Sequence, residues 1–504
     1  MSQLLQRGIA LCRQGRFEEA SRVLQDAVRA APDDPAGWTA LIDTELAARR
    51  AEVALQVCDA GLRRLPGHPA LLSSKARVLR DGSRVAEAAA LLRQALSADP
   101  ASAEARHGLA ALALEAGDWD AAEATAAPLL ALPAPGPETQ WLGARIALGR
   151  GDFEAARERA ERALATPGLA PDQEAEVALL LGEALDGLGR PAEAFQAFSQ
   201  GKGALHRLYA ARAASRESET GKFQRLAAWF AAADPTPLQS APPATASIGN
   251  VRAHVFLVGF PRSGTTLLEQ ALAGHSDLVA LEEAPTLAAA YDALMTSPAA
   301  LQRLANLAPA EAETWRAAYW AEVARGGVQP AGKVFLDKAP AGTLYLPLVA
   351  KLFPDAHILF ALRDPRDVAL SCFRNHFQMN ALTYAFTDLA ETGRCYAACM
   401  AMAEVYRRVL PLALTEVRYE ALVADFEGEL ARIAGFIGLD LDPAMLDVAA
   451  TAARRVVRTP SAAQVRAGLN QQGVGRWRAY AAELVPAMPA LAPWIERFGY
   501  GGSG

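Results

Sequence analysis

Residues 255–272, "VFLVGFPRSGTTLLEQAL", place an apolar run before a turn that contains glycine, hydroxyl groups and one cation, Arg262. The turn has the spacing Gly-x-x-x-x-Gly and ends at Gly264, as in loops that wrap backbone N–H groups around a phosphate. Nucleoside-triphosphate enzymes continue with lysine, whereas this chain continues with Thr265 and Thr266. The pattern therefore predicts an anion site that is not arranged for β- and γ-phosphates and magnesium.

The turn is expected to bind its anion through the backbone and one side chain together. A helix N-terminus presents N–H groups and partial positive charge. We therefore expect Ser263, Gly264, Thr265 and Thr266 to contribute backbone N–H groups and Arg262 to contribute its guanidinium. A glycine turn without a ligand is the alternative, and the Arg-Ser-Gly-Thr-Thr sequence after a strand favours the anion site.

The composition limits the classes of protein to which the chain can belong. At 504 residues and 52% hydrophobic content it has room for several domains. A net charge of -6 argues against broad nucleic-acid binding. Charged residues interrupt the N-terminal apolar stretches and no run reaches membrane-spanning length, so we expect a soluble, cytoplasmic protein without a membrane span. Five scattered cysteines predict no disulfide framework, and Cys395 and Cys399 are expected to pack in the core rather than bind a metal.

The first 200 residues repeat with a period of 34. One small residue recurs at this step at Ala20, Ala54, Ala88, Ala122 and Ala156, and Ala194 follows after an insertion. This period resembles that of tetratricopeptide repeats, in which paired helices stack into a superhelix. The resemblance implies a helical domain over residues 1–213 with a concave surface that binds protein or peptide.

A change in composition marks the end of the helical region. Residues 234–250, "DPTPLQSAPPATASIGN", are rich in Pro, Ser and Thr, which predicts a helix and linker over 214–250. Short apolar strands then alternate with helical spans, as in a parallel sheet with helices on both faces, over 251–500. The linker predicts that a chain starting near Ile248 folds and binds its ligand alone; the alternative is that some repeats pack on the second domain.

The segment "PRSGTTLLEQALAGHSDLVALEEAP", residues 261–285, is similar to the 5'-phosphosulfate loop of sulfotransferases that use 3'-phosphoadenosine 5'-phosphosulfate (PAPS). It is closest to the tyrosylprotein sulfotransferase branch and its bacterial relatives with tetratricopeptide repeats. The resemblance implies an α/β P-loop-like domain after the helical solenoid, with PAPS as co-substrate, 3',5'-ADP as product and no metal. Because PAPS has no γ-phosphate, such a loop does not need the missing lysine.

A second stretch tests this resemblance, since PAPS carries a 3'-phosphate that needs its own donors. The family supplies an Arg and a Ser eight residues apart after a strand, and Arg363 and Ser371 have that spacing. The alternative is a solvated turn in which Asp364 and Asp367 pair with the neighbouring arginines. The presence of the first motif favours the phosphate site.

Further matches extend the resemblance towards the C-terminus. Tyr419 matches a tyrosine of the family that contacts the cofactor. Ser461, Gln464 and Val465 match a Ser-x-x-Gln-Val motif of the tyrosylprotein branch. Arg476 lies where the family has a lysine that binds the 3'-phosphate. These positions complete the cofactor site that the resemblance implies.

Sulfuryl transfer needs a base for the acceptor hydroxyl and cations for the negative charge that develops. The resemblance assigns the base to Glu283 and the transition-state cation to Lys338, with Ser461 as an additional donor. Arg262 would also stabilise the leaving phosphate. Glu282 is the competing candidate for the base, and whether it shares this role stays open.

The chain also departs from the family. The tyrosylprotein enzymes have Thr-Arg and other basic residues after the Glu-Glu pair, but here Ala284 and Pro285 follow. Recognition of an acidic peptide is therefore in doubt, and the acceptor is to be sought among protein tyrosine, carbohydrate, lipid and small molecules. No histidine stands at the position of the base in cytosolic small-molecule sulfotransferases, so His254 and His275 are interpreted as structural.

Two other functions compete with the sulfotransferase. One is an interaction scaffold whose second domain binds nucleotide without turnover, and the intact set of candidate catalytic residues counts against it. The other is a nucleoside-triphosphate kinase or hydrolase, which the Thr at position 265 disfavours. The sequence does not indicate the oligomeric state or the partner of the repeats.

Overall fold

The computed structural model describes residues 2–81, 84–242, 250–455 and 473–501. Packing divides the chain into two compact units, residues 1–169 and residues 170–504.

The first unit consists of helices that pair in chain order. The five pairs are Gln3–Arg13 with Phe17–Ala30, Pro35–Ala47 with Ala51–Arg64, Pro69–Asp81 with Val85–Ala98, Ala103–Ala116 with Trp119–Leu130, and Pro137–Gly149 with Phe153–Ala165. The alanines that recur every 34 residues are all fully buried, because a methyl group lets the paired helices approach closely. The predicted helical repeats are thereby confirmed.

The second unit begins with one more such pair, Pro171–Gly187 and Pro191–Ala214, which we call the last helix pair. Phe198 of this pair belongs to the same buried cluster as the sheet residues Phe256 and Phe335. The division by packing therefore falls before the predicted boundary at 213. The last helix pair packs against the second domain, which was the alternative expected for some repeats. The boundaries at 213 and 250 remain a prediction.

A sheet of five parallel strands forms the centre of the second unit. Its strands are β1 (Ala253–Gly259), β2 (Leu278–Glu282), β3 (Val334–Lys338), β4 (His357–Leu362) and β5 (Ala413–Arg418), in the order β2-β3-β1-β4-β5. Every neighbouring pair is parallel, which confirms the predicted parallel sheet. Glu282 lies opposite Lys338 at the carboxyl edge, where ligands bind in open sheets of this class.

Helices cover both faces of the sheet. Along β1, Phe256 and Val258 pack into one buried cluster, whereas Val255 and Leu257 pack into another. This alternation is the period of two that a strand imposes on its side chains. The remaining α-helices in the described part of the chain are Glu219–Ala232, Pro235–Gln239, Thr265–Leu272, Ala288–Leu294, Pro298–Ala305, Pro309–Arg325, Leu346–Leu352, Pro365–Arg374, Ala381–Ala385, Leu389–Val409, Tyr419–Ala424, Phe426–Phe436, Val448–Arg454 and Met488–Arg497. Short 3-10 helices span Pro340–Tyr345, Pro443–Leu446 and Arg476–Tyr480.

Two further observations concern the helices. Cys395 and Cys399 are buried in the core on helix Leu389–Val409, as expected for packing residues. Among the helices that the structure describes, none is both long enough and apolar enough to cross a membrane.

Candidate active site

The predicted anion loop connects β1 to helix Thr265–Leu272. Gly264 precedes this helix with φ 95°, and a Cβ there would lie 2.6 Å from the ring of Tyr419. Both the backbone conformation and the close approach therefore require glycine. The N–H of Ser263 donates to the Phe260 carbonyl at 3.2 Å, so it is used within the turn. The helix begins at Thr265, so the backbone N–H groups of its first turn lie at a helix N-terminus.

Three of the predicted phosphate ligands lie together beside this loop. The Nε of Arg262 donates to Ser371 Oγ at 2.9 Å. The Nη1 of Arg363 donates to the Arg262 carbonyl at 3.0 Å. Loss of contact with water, together with the neighbouring arginines, lowers the pKa of Arg262 to about 10, so its guanidinium stays charged at neutral pH.

Arg363 is held from several directions but retains a donor. Its guanidinium carbon lies 4.7 Å from the ring centroid of Tyr419, the residue that begins the helix after β5. Its Nη2 donates to the Gly473 carbonyl. Its Nε is buried and has no hydrogen-bond partner within the described part of the chain. Such a buried donor is what an anionic ligand would satisfy.

The two aspartates next to Arg363 have other partners. Asp364 Oδ2 pairs with Arg366 Nη2 at 2.7 Å, and both side chains are buried. Asp367 accepts backbone N–H bonds of 2.7 and 2.8 Å from the segment 475–477. Of the pairings expected in a solvated turn, that of Asp364 with Arg366 therefore forms, but both side chains are buried, and Asp367 accepts from backbone N–H groups.

Arg476 belongs to the segment that Asp367 holds. Its guanidinium pairs with Asp186, which lies on the first helix of the last helix pair. Asp186 also pairs with Arg374 at 2.6 Å and accepts a hydrogen bond of 2.5 Å from Tyr480 Oη. Burial alone would raise the pKa of Asp186, but the two arginines lower it below its ordinary value. The sequence prediction included Arg476 but missed Asp186 and Arg374.

Lys338 forms the other side of the site, at the end of β3. Its side chain is fully buried, and its Nζ lies 2.7 Å from Glu283 Oε1, 3.1 Å from Glu282 Oε1 and 3.4 Å from Glu269 Oε2. Burial would lower the pKa of Lys338, but the three carboxylates raise it above its ordinary value. The ammonium group is therefore a fixed positive charge at the edge of the sheet.

The two candidate bases differ in exposure. The side chain of Glu283 is 46% exposed, whereas that of Glu282 is 15% exposed. Glu283 has φ 49°, which is uncommon outside glycine, and its N–H donates to the Lys338 carbonyl at 2.8 Å. Thr286 Oγ1 anchors the same turn by donating to the buried Asp337 at 2.9 Å. In this strained turn the carboxylate of Glu283 is therefore more accessible to solvent than that of Glu282.

Glu269 completes the cluster and was missed by sequence reasoning. It lies on the helix after the anion loop, its side chain is fully buried, and its Oε1 is 3.2 Å from Arg455 Nη2. Burial raises the pKa of Glu269 despite the nearby cations. A glutamate inside a helix has no distinguishing sequence context, so only the fold reveals that it faces Lys338.

The two histidines lie in structural settings. His254 Nε2 is 2.8 Å from Tyr319 Oη inside an aromatic cluster, and burial lowers its pKa to about 3. His275 Nδ1 accepts the N–H of Asp277 at 2.9 Å and so closes a local turn. Both placements agree with the interpretation of these histidines as structural.

Three predicted residues lie outside the described residues. They are Ser461, Gln464 and Val465, which fall within residues 456–472. The described residues on either side are Arg455, which contacts Glu269, and Gly473, which contacts Arg363.

The sequence matches two known protein families. Residues 254–443 match the sulfotransferase family. Residues 5–69, 79–142 and 142–205 match tetratricopeptide repeats. The chain carries a sulfotransferase-family domain after tetratricopeptide repeats. The sulfotransferase-family match covers the five strands except for the first residue of β1, and the last repeat match includes the greater part of the last helix pair.

The individual proteins that resemble this chain have low sequence identity to it. An uncharacterized protein of Aquifex aeolicus (strain VF5) is 28% identical over 258 residues, which are 48% of this chain and 33% of that protein. The chain thus spans about a third of the length of this curated relative. The sulfotransferase domain of the Synechococcus PCC 7002 olefin synthase is 24% identical, with 51% of this chain and 98% of that chain covered and a TM-score of 0.35. A tetratricopeptide repeat protein of Thermus thermophilus is 22% identical, covering 35% and 97%, with a TM-score of 0.32. At these TM-scores, the two structural likenesses add nothing to the fold described above.

Proposed function

We propose that this protein transfers a sulfuryl group from PAPS to an acceptor hydroxyl. The observation that carries the proposal is the convergence of Arg262, Arg363 and Ser371 on an anion loop that lacks the triphosphate lysine. The sulfotransferase-family match over residues 254–443 supports the same chemistry.

The residues present fit the two anionic ends of PAPS. The first-turn N–H groups of the loop helix and Arg262 would hold the 5'-phosphosulfate. Arg363, Ser371 and Arg476 would hold the 3'-phosphate, and the Nε of Arg363, which has no hydrogen-bond partner among the described residues, supports this assignment. Tyr419 packs against both Gly264 and Arg363, so it would join the two subsites. When bound, PAPS supplies the sulfuryl group, and we extend the cofactor site to Ser461 and Gln464 on the resemblance alone.

The carboxylate cluster supports catalysis rather than nucleotide binding alone. Glu283 would accept the proton of the acceptor hydroxyl at its exposed carboxylate. Lys338 would stabilise the negative charge that develops on the sulfuryl oxygens, because its ammonium group is fixed and desolvated. Arg262 would stabilise the departing phosphate, and Ser461 would be an additional donor. Nucleotide binding alone does not require a buried lysine among three carboxylates.

The repeats are proposed to bind a protein or peptide. The acceptor hydroxyl is proposed to belong to a protein tyrosine, a carbohydrate, a lipid or a small molecule. Protein tyrosine is the candidate that the resemblance suggests, although Ala284 and Pro285 replace the basic residues of that branch. A screen with radiolabelled PAPS against tyrosine peptides, carbohydrates, lipids and small phenols would identify the acceptor. Transfer to none of these classes would favour the scaffold.

The donor is tested by thermal stability with nucleotides. We expect 3',5'-ADP to raise the melting temperature well above the effect of 5'-AMP, without magnesium, since only 3',5'-ADP fills both subsites. Arg363→Ala should abolish the difference between the two nucleotides, whereas Arg408→Ala, which removes an exposed arginine, should preserve it. Equal shifts with both nucleotides, or a preference for ATP with magnesium, would contradict the proposal.

A further inference from the structure

One carboxylate of the last helix pair reaches the predicted nucleotide site. Asp186, whose side chain is 8% exposed, pairs with the guanidinium groups of Arg374 and Arg476 and accepts a hydrogen bond from Tyr480. Three chain segments that are distant in sequence therefore meet at one buried anion.

The partners of Asp186 come from the segments that form the proposed 3'-phosphate subsite. Arg374 follows Ser371 by three residues on the same helix, so the two side chains share a face. Arg476 belongs to the segment that Asp367 fixes through the backbone. Burial and the charge of Arg476 both lower the pKa of Arg374, which reflects repulsion between the two cations. A shared carboxylate offsets this repulsion and lets both arginines lie close together.

The second helix of the last helix pair contacts the same region independently. Lys202 is buried, and its Nζ donates to the carbonyls of Asn375 at 2.7 Å and Cys372 at 3.3 Å. These carbonyls lie at the C-terminus of helix Pro365–Arg374, where a cation also interacts favourably with the helix dipole. Both helices of the pair thus fix the helix that carries Ser371.

We propose that Asp186 is a positioning residue that holds Arg476 and Arg374 for the 3'-phosphate of the nucleotide. The inference rests on the proposed function, because it assigns this phosphate to the Arg363 and Ser371 subsite. The last helix pair, although built as a repeat, is then part of the nucleotide site. Without Asp186 the two arginines repel each other, and Arg476, whose side chain is 32% exposed, turns towards solvent.

The test compares two nucleotides by isothermal titration calorimetry on the full-length protein. Asp186→Asn keeps the shape of the side chain but removes its charge. It should weaken the binding of 3',5'-ADP about tenfold, which corresponds to the loss of about one charge-assisted hydrogen bond, and it should leave the affinity for 5'-AMP unchanged. Asp172→Asn removes an exposed charge from the first turn of the same helix and should change neither affinity. Combining Asp186→Asn with Arg476→Ala should weaken 3',5'-ADP no more than Arg476→Ala alone.

Several outcomes overturn this assignment. Equal weakening of both nucleotides means that Asp186 only supports the fold, and tighter binding of 3',5'-ADP means that Asp186 competes with the phosphate. If the wild-type protein itself does not distinguish the two nucleotides, the proposed function fails instead. Should Asp186→Asn not fold, Tyr480→Phe removes one hydrogen bond to the same carboxylate and retains both ion pairs. That variant should weaken 3',5'-ADP a few-fold and selectively, and unchanged affinity for 3',5'-ADP overturns the inference.

Discussion

The two sides of the site lie at one sheet edge but balance their charges in opposite ways. On the phosphate side, Arg262 and Arg363 donate to a hydroxyl and to backbone carbonyls, which carry no net charge. On the acceptor side, Lys338 contacts three carboxylates. These hydrogen bonds of the first side thus go to uncharged acceptors, whereas the contacts of the cation on the second side are with carboxylates.

This difference indicates how binding and proton transfer are separated. Among the described residues, the acceptor-side cluster brings together the carboxylates of Glu269, Glu282 and Glu283 with the cations of Lys338 and Arg455. One carboxylate can take up a proton while the ammonium group keeps another carboxylate as its partner. Loss of the base or of the cation on the acceptor side should therefore affect turnover, and changes on the phosphate side should affect affinity.

The largest expected effect is that of Glu283→Gln. The amide keeps the size of the side chain but cannot accept the proton, so turnover should fall by roughly 10²- to 10⁴-fold, as for a lost general base. The affinity for 3',5'-ADP should not change, because Glu283 belongs to the acceptor side rather than to the phosphate ligands. Turnover with a saturating acceptor and calorimetry with 3',5'-ADP measure the two quantities.

Glu282→Gln is the matched control and should retain most activity, because this side chain is more buried than that of Glu283. A variant Glu283→Gln with nearly wild-type turnover, together with an inactive Glu282→Gln, would exchange the two roles. Full activity of both variants would place the base elsewhere.

Lys338→Ala should reduce both turnover and stability. Removing one partner of a buried ion pair typically costs about 3 to 5 kcal/mol, because the remaining charge is unpaired. The loss of turnover should depend less on the pKa of the acceptor than the loss caused by Glu283→Gln, since Lys338 stabilises charge and moves no proton. Rates with a series of substituted phenols, and thermal unfolding, would measure these effects.

The double variant Lys338→Ala with Glu269→Gln separates the two contributions. It removes the charge of a buried carboxylate along with the cation. The melting temperature lost in Lys338→Ala should therefore be partly restored, while turnover stays low. Recovery of turnover in the double variant would show that the lysine serves the fold alone.

The smallest of these effects is expected from Gly264→Ala on the phosphate side. The new Cβ would lie 2.6 Å from the Tyr419 ring at φ 95°, so the loop or the ring must move. We expect 3',5'-ADP affinity to fall about tenfold by calorimetry, equivalent to about 1.4 kcal/mol. Gly332→Ala also has positive φ, at 73°, but has no atom within 4 Å of the new Cβ, and it should bind normally. Normal binding by Gly264→Ala would contradict the assigned role of the loop.

The sequence predicted the elements of the site better than their partners. The anion loop was predicted from its spacing after an apolar strand. The Arg363 and Ser371 pair, Lys338 and Glu283 were assigned from the resemblance to the sulfotransferase family. These residues lie on strands or loops that end at the common carboxyl edge of the parallel sheet. The order of the strands and the positive φ of Glu283 depend on tertiary packing, which one sequence does not reveal.

Asp186 and Glu269 could not be predicted for a different reason. Each is an acidic residue within a helix, and each becomes significant only through a side chain that is distant in sequence. Asp186 also lies in a segment whose repeat pattern predicts partner binding. A periodic pattern describes how helices pair with one another, but it does not indicate what else the same helices contact.

Lys202, which joins the last helix pair to helix Pro365–Arg374, makes the free energy of unfolding depend on pH. Loss of contact with water lowers the pKa of its ammonium group to about 7 in the folded protein, from an ordinary value of 10.5. Between these two values the unfolded chain binds a proton that the folded chain has released, so the contribution of Lys202 to the free energy of unfolding increases with pH. Below pH 7 the lysine is charged in both states, and the folded protein bears the full cost of burying it. The contribution of this one buried side chain to the free energy of unfolding is therefore greater on the alkaline side of neutrality than in acid.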